Sequence, residues 1–166
     1  MPITPAHHIA LVTGPLLSGA MLSLSLVAVP VLLDTTTQAP QLLHQWVRMY
    51  HYGHQVLPTM AVGTSLLYAY TAKTVEQQSK SQHLSQRRLL TLAALATVSM
   101  VPFTWLVMVP TNNELFRLQA ASVMNADIIG FKGVRKLVVS WSWMHLTRSL
   151  MPLAGAVLGA AASVWA

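Results

Sequence analysis

From Ile9 to Leu33 the chain runs for 25 residues without a charged side chain. A helix rises about 1.5 Å per residue, so a run of this length crosses the roughly 30 Å hydrocarbon core of a bilayer. No basic segment precedes it, and it is longer than the apolar stretch of a secretory signal, so it reads as a span. In lipid every backbone amide and carbonyl must be satisfied within the segment, which leaves a helix as its form.

Three further segments follow the same logic. Val56–Ala72 is uncharged and is extended backward by the turn carrying His54; Leu89–Val109 is a third apolar run. The last, Ser149–Ala166, is uncharged, and its helical pattern continues back through Trp141 towards Val134. The expected fold is therefore all-α, an integral membrane four-helix bundle. It forms a single domain over 1–166, with spans at about 9–33, 54–72, 89–109 and 138–166. Composition agrees: 8% of the 166 residues are charged and 54% are hydrophobic, where a soluble domain is about a quarter charged. Cysteine is absent, which excludes disulfides, thiolate metal sites and a cysteine nucleophile.

Breaks are expected at Pro30, Pro40 and the Asp34–Thr37 cluster after the first span, and at Pro110-Thr111-Asn112-Asn113 after the third. Lys73–Arg88, rich in Gln and Ser, is a short polar linker. Small residues form one stripe on the first helix (Gly14, Ser18, Met21, Ser25) and another on the fourth (Gly155, Gly159, Ser163). In lipid such stripes let helix backbones approach closely, and packing is their expected role.

The net charge is +6, and the basic residues lie between apolar runs rather than along a stripe with interleaved aromatics. That pattern fits membrane topology and lipid phosphates, and excludes a nucleic-acid partner. Four spans put both termini and the Lys73–Arg88 linker on one side. Lys73, Lys80, Arg87 and Arg88 place that side in the cytosol, although Arg48, Arg117, Lys132, Arg135 and Lys136 lie opposite.

The two ends of the bundle differ sharply in chemistry. One carries Asp34, His44, Trp46, Arg48, Tyr50, His51, His54, Asn112, Asn113, Glu114, Asp127, Trp141, His145 and Arg148. The other carries His7, His8 and His83, which are expected on exposed, flexible surface. Trp141, His145 and Arg148 fall at i, i+4 and i+7 and share a helix face that Pro152 and Gly155 continue into the bundle. Arg148 would sit near the hydrocarbon boundary, where an ionisable residue normally faces the bundle or a wet cavity. The alternative is a snorkelling arginine beside an interfacial tryptophan belt. Asn112 and Asn113 suit either a turn or uncharged hydrogen bonding to a ligand oxygen. His44, Arg48 and His51 share a face, with His54 following. Two or three histidines could hold a metal or haem, but no helical His-x-x-x-His pair supports it, so no metal is assigned.

Three patches, in this order and spacing, carry a resemblance over nearly the whole chain. They are Trp46…Tyr50…Gly53…Pro58, then Met108-Val109-Pro110-Thr111-Asn112-Asn113, then the segment from Trp141 through His145 and Arg148 to Pro152 and Gly155. Together they resemble the family of unknown function numbered 1772, whose characterised fungal members are anthrone oxygenases.

The resemblance implies oxidation of a polyketide anthrone, such as emodin anthrone, to the anthraquinone by O2 without a metal or organic cofactor. An anthrone's central methylene is acidic because its carbanion delocalises into a phenolate, and so electron-rich an anion can react directly with O2. The protein must then supply an aromatic slot, a base, and donors or a cation for the developing oxyanion. On this reading His145 or His51 is the base, Arg148 the cation, and Asn112 and Asn113 the donors. Trp46, Tyr50, His54, Trp141, Trp143 and Glu114 line the substrate. Anthrone, O2 and the bilayer are the partners, an oligomer is left open, and a fungal source would place the multi-pass protein in endomembranes. Two rival classes remain at this stage: a four-span protein without enzymatic activity, and a haem or metal redox protein.

Overall fold

A computed structural model of the chain describes residues 5–78, 84–124 and 130–164. Among them the fold is all-α, a bundle of four long helices: α1 (Pro5–Thr35), α2 (Ala39–Gln78), α3 (Leu84–Met124) and α4 (Phe131–Val164). Each helix packs on its neighbours in sequence, and α4 closes the ring against α1. His83, Lys80 and Asp127 lie outside the described residues.

The two stripes of small residues turn inward and hold the ring together. On α1, Ala10, Gly14, Leu17, Ser18, Met21 and Ser25 recur every three or four residues and are buried. Ser18 donates to the Ser149 carbonyl at 3.2 Å, and a Cβ on Gly14 would meet Ala156. On α4, Gly155 leaves room for Thr97 and the Ala93 carbonyl of α3, while Gly159 leaves room for the Tyr68 ring of α2. Tyr68 continues across to donate to the Ala10 carbonyl at 3.2 Å. One tyrosine thus joins three helices at a point where only glycine fits.

Packing changes along the bundle axis. At the end holding the termini the core is Ala10, Ala72, Ala93, Ala94 and Ala162 around Tyr68 and Leu90. At the opposite end it is Leu42, Leu43, Trp46, Met108, Leu115 and Trp141. Small residues bring helices close, and bulky ones hold them apart.

Several expected boundaries move. The first break falls as expected, since α1 stops at Thr35 and Thr36 is extended. Pro30 and Pro110, however, end nothing: α1 and α3 run through both. Each follows a π turn, Leu24–Ala28 and Thr104–Met108, closed by Val29 N–H to the Leu24 carbonyl and Val109 N–H to the Thr104 carbonyl. A proline lacks an N–H and crowds the preceding turn, and the wider ring of a π turn accommodates both. Helix α2 begins at Ala39 rather than near His54, and α3 extends to Met124. The described residues of the polar segments 34–55 and 110–136 are therefore largely helical, and the cavity-lining residues sit on helix faces.

Among the described residues, α1 and α3 are long and apolar enough to cross a membrane.

Candidate active site

Where the bundle is packed by large side chains, a cavity of about 330 Å³ lies between the helices. That size is within the range of small-molecule pockets. Its walls are mainly apolar: Leu24 from α1, Met49, Leu57 and Pro58 from α2, and Val101, Trp105 and Val109 from α3. Helix α4 contributes Trp141, His145 and Arg148, so the shared face read from the i, i+4, i+7 spacing points into this space. Among the lining residues His54, Trp105 and Val109 are exposed, and they belong to α2 and α3. The cavity therefore opens between those two helices. Gly53 lies in the same wall, where a side chain would narrow the gap.

The polar groups are few and unusually placed. His145 is 1% exposed and Arg148 8%. The His145 ring stacks on Trp141 at 4.7 Å, and its Nδ1 meets Ser25 Oγ at 3.0 Å. Nε2 has no protein partner among the described residues. Arg148 Nη1 donates to Thr104 Oγ1 at 2.8 Å, and no described carboxylate pairs with the guanidinium. Three buried polar atoms of residues that line the cavity have no hydrogen-bond partner: Arg148 Nε, Trp141 Nε1 and Asn112 Oδ1. A buried polar group left unpaired costs about 1–3 kcal/mol, so three in residues around one space set this part of the bundle apart.

Behind this wall sits a layer of aromatic rings. Trp46 is fully buried and meets the Trp141 ring edge-on at 5.7 Å, Phe116 at 5.2 Å and Tyr50 at 5.3 Å. Tyr50 lines the cavity and stacks on His54 at 5.4 Å. Trp46 thus braces the residues that line the cavity without lining it itself.

The structure brings together His145, Arg148, Asn112, Tyr50, His54 and Trp141. It leaves out the other expected site residues. Because α3 continues as a helix, Asn112 and Asn113 point in different directions: Asn112 is buried at the cavity and Asn113 is exposed. Glu114 turns away to pair with Arg117 at 2.6 Å on the surface. Trp143 is 66% exposed on the outer face of α4. His51 is exposed, tilted against His54 at 5.4 Å, and does not line the cavity. Among the described residues no three of His, Asp and Glu converge as metal ligands.

His7 is also corrected. It is buried rather than exposed, with Nε2 3.1 Å from the Gly159 carbonyl and near Ser163 Oγ. Its partner on α4 lies 152 residues away, which the sequence around His7 does not reveal. Thr104, absent from the expected site, and Ser25, expected only in packing, contact Arg148 and His145. A hydroxyl residue five or six positions before a mid-helix proline was the available signal for both.

The fold and cavity define an all-α bundle with a cavity of small-molecule size lined by all four helices. A family model described as anthrone oxygenase matches residues 46–158, and the chain belongs to that family. The matched stretch holds the lining residues from Met49 to Arg148. An anthrone oxygenase of Paecilomyces divaricatus is 58% identical over 167 residues, covering 99% of both chains. An anthrone oxygenase of Emericella nidulans is 42% identical, covering 95% of this chain and 96% of its own. A noranthrone monooxygenase of Aspergillus flavus is 38% identical, covering 92% of this chain and 70% of its own. The chain is thus an oxygenase by family. No solved structure matches it.

Proposed function

We propose that the chain oxidises a polyketide anthrone of the emodin anthrone type to the anthraquinone, using O2 and base-assisted chemistry that needs no cofactor. The observation that carries this reading is an apolar, aromatic cavity lined by His145 and by three residues, Arg148, Trp141 and Asn112, that each bury an unpaired polar atom. A planar tricyclic phenol needs flat apolar walls for its rings and a few fixed polar groups for its oxygens.

Each residue has a role in that chemistry. His145 Nε2 takes a proton from the central methylene, leaving a carbanion whose charge spreads onto the ring ketone oxygen as a phenolate. Arg148 Nε–H and Trp141 Nε1–H donate to that oxygen, and their strength grows as the charge develops. Asn112 Oδ1 accepts a hydrogen bond from a phenolic hydroxyl. The carbanion carbon bonds to O2, and His145 returns its proton to the distal oxygen of the resulting peroxide. Loss of the remaining C–H proton with O–O cleavage forms the new carbonyl and releases water. Anthrone and O2 thus become anthraquinone and one water.

The setting is a membrane crossed four times, with both termini on one side. Besides the two apolar helices, α2 has no formally charged residue from Met49 to Ala72, and α4 has none among its described residues beyond Arg148. Large apolar side chains project outward from every helix: Val12 and Leu16, Leu66 and Tyr70, Leu95 and Leu106, Val157. So much outward apolar surface suits lipid contact. The cavity mouth between α2 and α3, beside Trp105 and Leu106, suits a lipophilic substrate and O2, both of which concentrate in bilayers.

Purified protein incubated with emodin anthrone under air, against a boiled control, tests this reading. Anthraquinone should form with one O2 consumed per product, and EDTA should leave the rate unchanged. No product above the boiled control, or a rate lost to EDTA and restored by a metal, would contradict it.

A further inference from the structure

The two π turns sit at the site rather than at random. One contains Ser25, whose hydroxyl meets His145 Nδ1; the other contains Thr104, whose hydroxyl accepts from Arg148 Nη1. Proline alone does not explain them. Pro15, Pro58 and Pro152 lie inside helices of the same bundle with no π turn recorded beside them. A π turn displaces the residues it contains relative to a regular helix, and such turns concentrate at functional sites.

The hydrogen bonds around each hydroxyl give it a defined direction. Thr104 Oγ1–H donates to the Met100 carbonyl at 2.7 Å, which leaves its lone pairs for Arg148 Nη1–H at 2.8 Å. One corner of the guanidinium is thereby anchored, while Nε stays without a protein partner. Ser25 is held from another direction. Val29 N–H closes the turn on the Leu24 carbonyl, and the residue five beyond Ser25 is Pro30, which has no N–H. The Ser25 carbonyl accepts from Ser142 Oγ–H of α4 at 3.3 Å instead. Both the backbone and the side chain of Ser25 therefore engage the helix that carries His145.

We infer that Ser25 and Thr104 are positioning residues, presented by the two π turns to orient His145 and Arg148 for the reaction. Ser25 Oγ accepts from His145 Nδ1–H, which leaves the Nε2 lone pair for the substrate proton. In this role it fixes the tautomer, as the orienting member of a base pair does. Thr104 holds the guanidinium in one plane, so that Nε–H is fixed before charge develops rather than recruited during the reaction. This inference rests on the cavity being the site of anthrone oxidation.

The test measures kcat and KM for emodin anthrone in Thr104→Val, Thr104→Ser, Ser25→Ala, Arg148→Leu and His145→Ala proteins. The double variants Thr104→Val/Arg148→Leu and Ser25→Ala/His145→Ala complete the set. Thr104→Val keeps the shape and loses the hydroxyl. We expect kcat to fall about tenfold with KM within about twofold, the scale of one lost hydrogen bond to a charged group. Thr104→Ser should recover most of the rate, and Ser25→Ala should fall about tenfold. In each double variant the second change should cost nothing further, because a residue acting through another has no effect once that other is gone. Wild-type kcat in Thr104→Val and Ser25→Ala, with Arg148→Leu and His145→Ala impaired, would overturn the inference alone. So would losses that multiply in the double variants, or a Thr104→Ser protein as slow as Thr104→Val. Wild-type rates in Arg148→Leu and His145→Ala would overturn the proposed site itself.

Discussion

Each end of this bundle buries a histidine to 1% exposure, and the two have opposite surroundings. His7 meets the Gly159 carbonyl and Ser163, at the end whose core is built mostly of alanines. His145 is held at Nδ1 by Ser25, stacks on Trp141 and lines the cavity beside an arginine with no carboxylate partner among the described residues. Buried polar atoms without partners follow the same division. Trp46 Nε1, Asn112 Oδ1, Trp141 Nε1 and Arg148 Nε lie at the His145 end, and Gln86 Oε1 lies at the other. Burial of a histidine is therefore not what marks a site. A site is marked where the packing stops short and polar groups are left unpaired beside the gap.

That contrast can be broken by experiment. His145→Ala should lower turnover about a hundredfold or more, the usual loss for a general base. His7→Ala should leave turnover intact and lower the thermal midpoint, because it removes a buried hydrogen-bonding group. Equal losses of turnover would erase the distinction between the two ends. Trp141→Phe keeps the ring against His145 and Trp46 but removes the unpaired N–H. It should reduce kcat/KM about tenfold, and a wild-type value would mean that this donor meets no substrate oxygen.

Gly159→Ala sharpens the comparison from the other end. Its Cβ would run into the Tyr68 ring, and overpacking of that kind costs about 1–3 kcal/mol. Yield and thermal midpoint should fall while the protein that folds keeps its turnover number. A selective loss of kcat at normal stability would show that the packed end takes part in catalysis. The smallest effects are expected at Trp143→Ala and Glu114→Gln, on the outer face of α4 and in an exposed ion pair. Both should stay within about twofold of wild type in the anthrone assay, since exposed pairs of this kind contribute about 0–1 kcal/mol.

What the sequence made legible follows from the range of each signal. Trp141, His145 and Arg148 could be placed on one face because the helical period is local and α4 is unbroken. The small-residue stripes were readable for the same reason. Asn113 could not be separated from Asn112 without knowing that α3 continues through Pro110, and that continuation depends on a π turn. His7 and Thr104 were hidden by distance along the chain. Their partners lie 152 and 44 residues away; Pro110 is the one local hint for Thr104, and nothing beside His7 points to Gly159. Trp46 is expected in the slot from its place in the first patch alone. It stands one layer behind, where its contact with Trp141 fixes the wall.

The central claim is that the cavity at the His145 end performs the oxidation, and Arg148 tests it most directly. Arg148 lines the cavity, is buried, lacks a carboxylate partner among the described residues, and has Nε unpaired. Arg148→Leu suits an apolar surrounding, so the protein should still reach the membrane at normal levels. If the guanidinium holds the developing phenolate, turnover of emodin anthrone should fall about a hundredfold or more. Arg148→Lys keeps the charge without the planar fork and should recover only part of the rate. Anthrone oxidation at the wild-type rate by membrane-inserted Arg148→Leu protein would contradict the account.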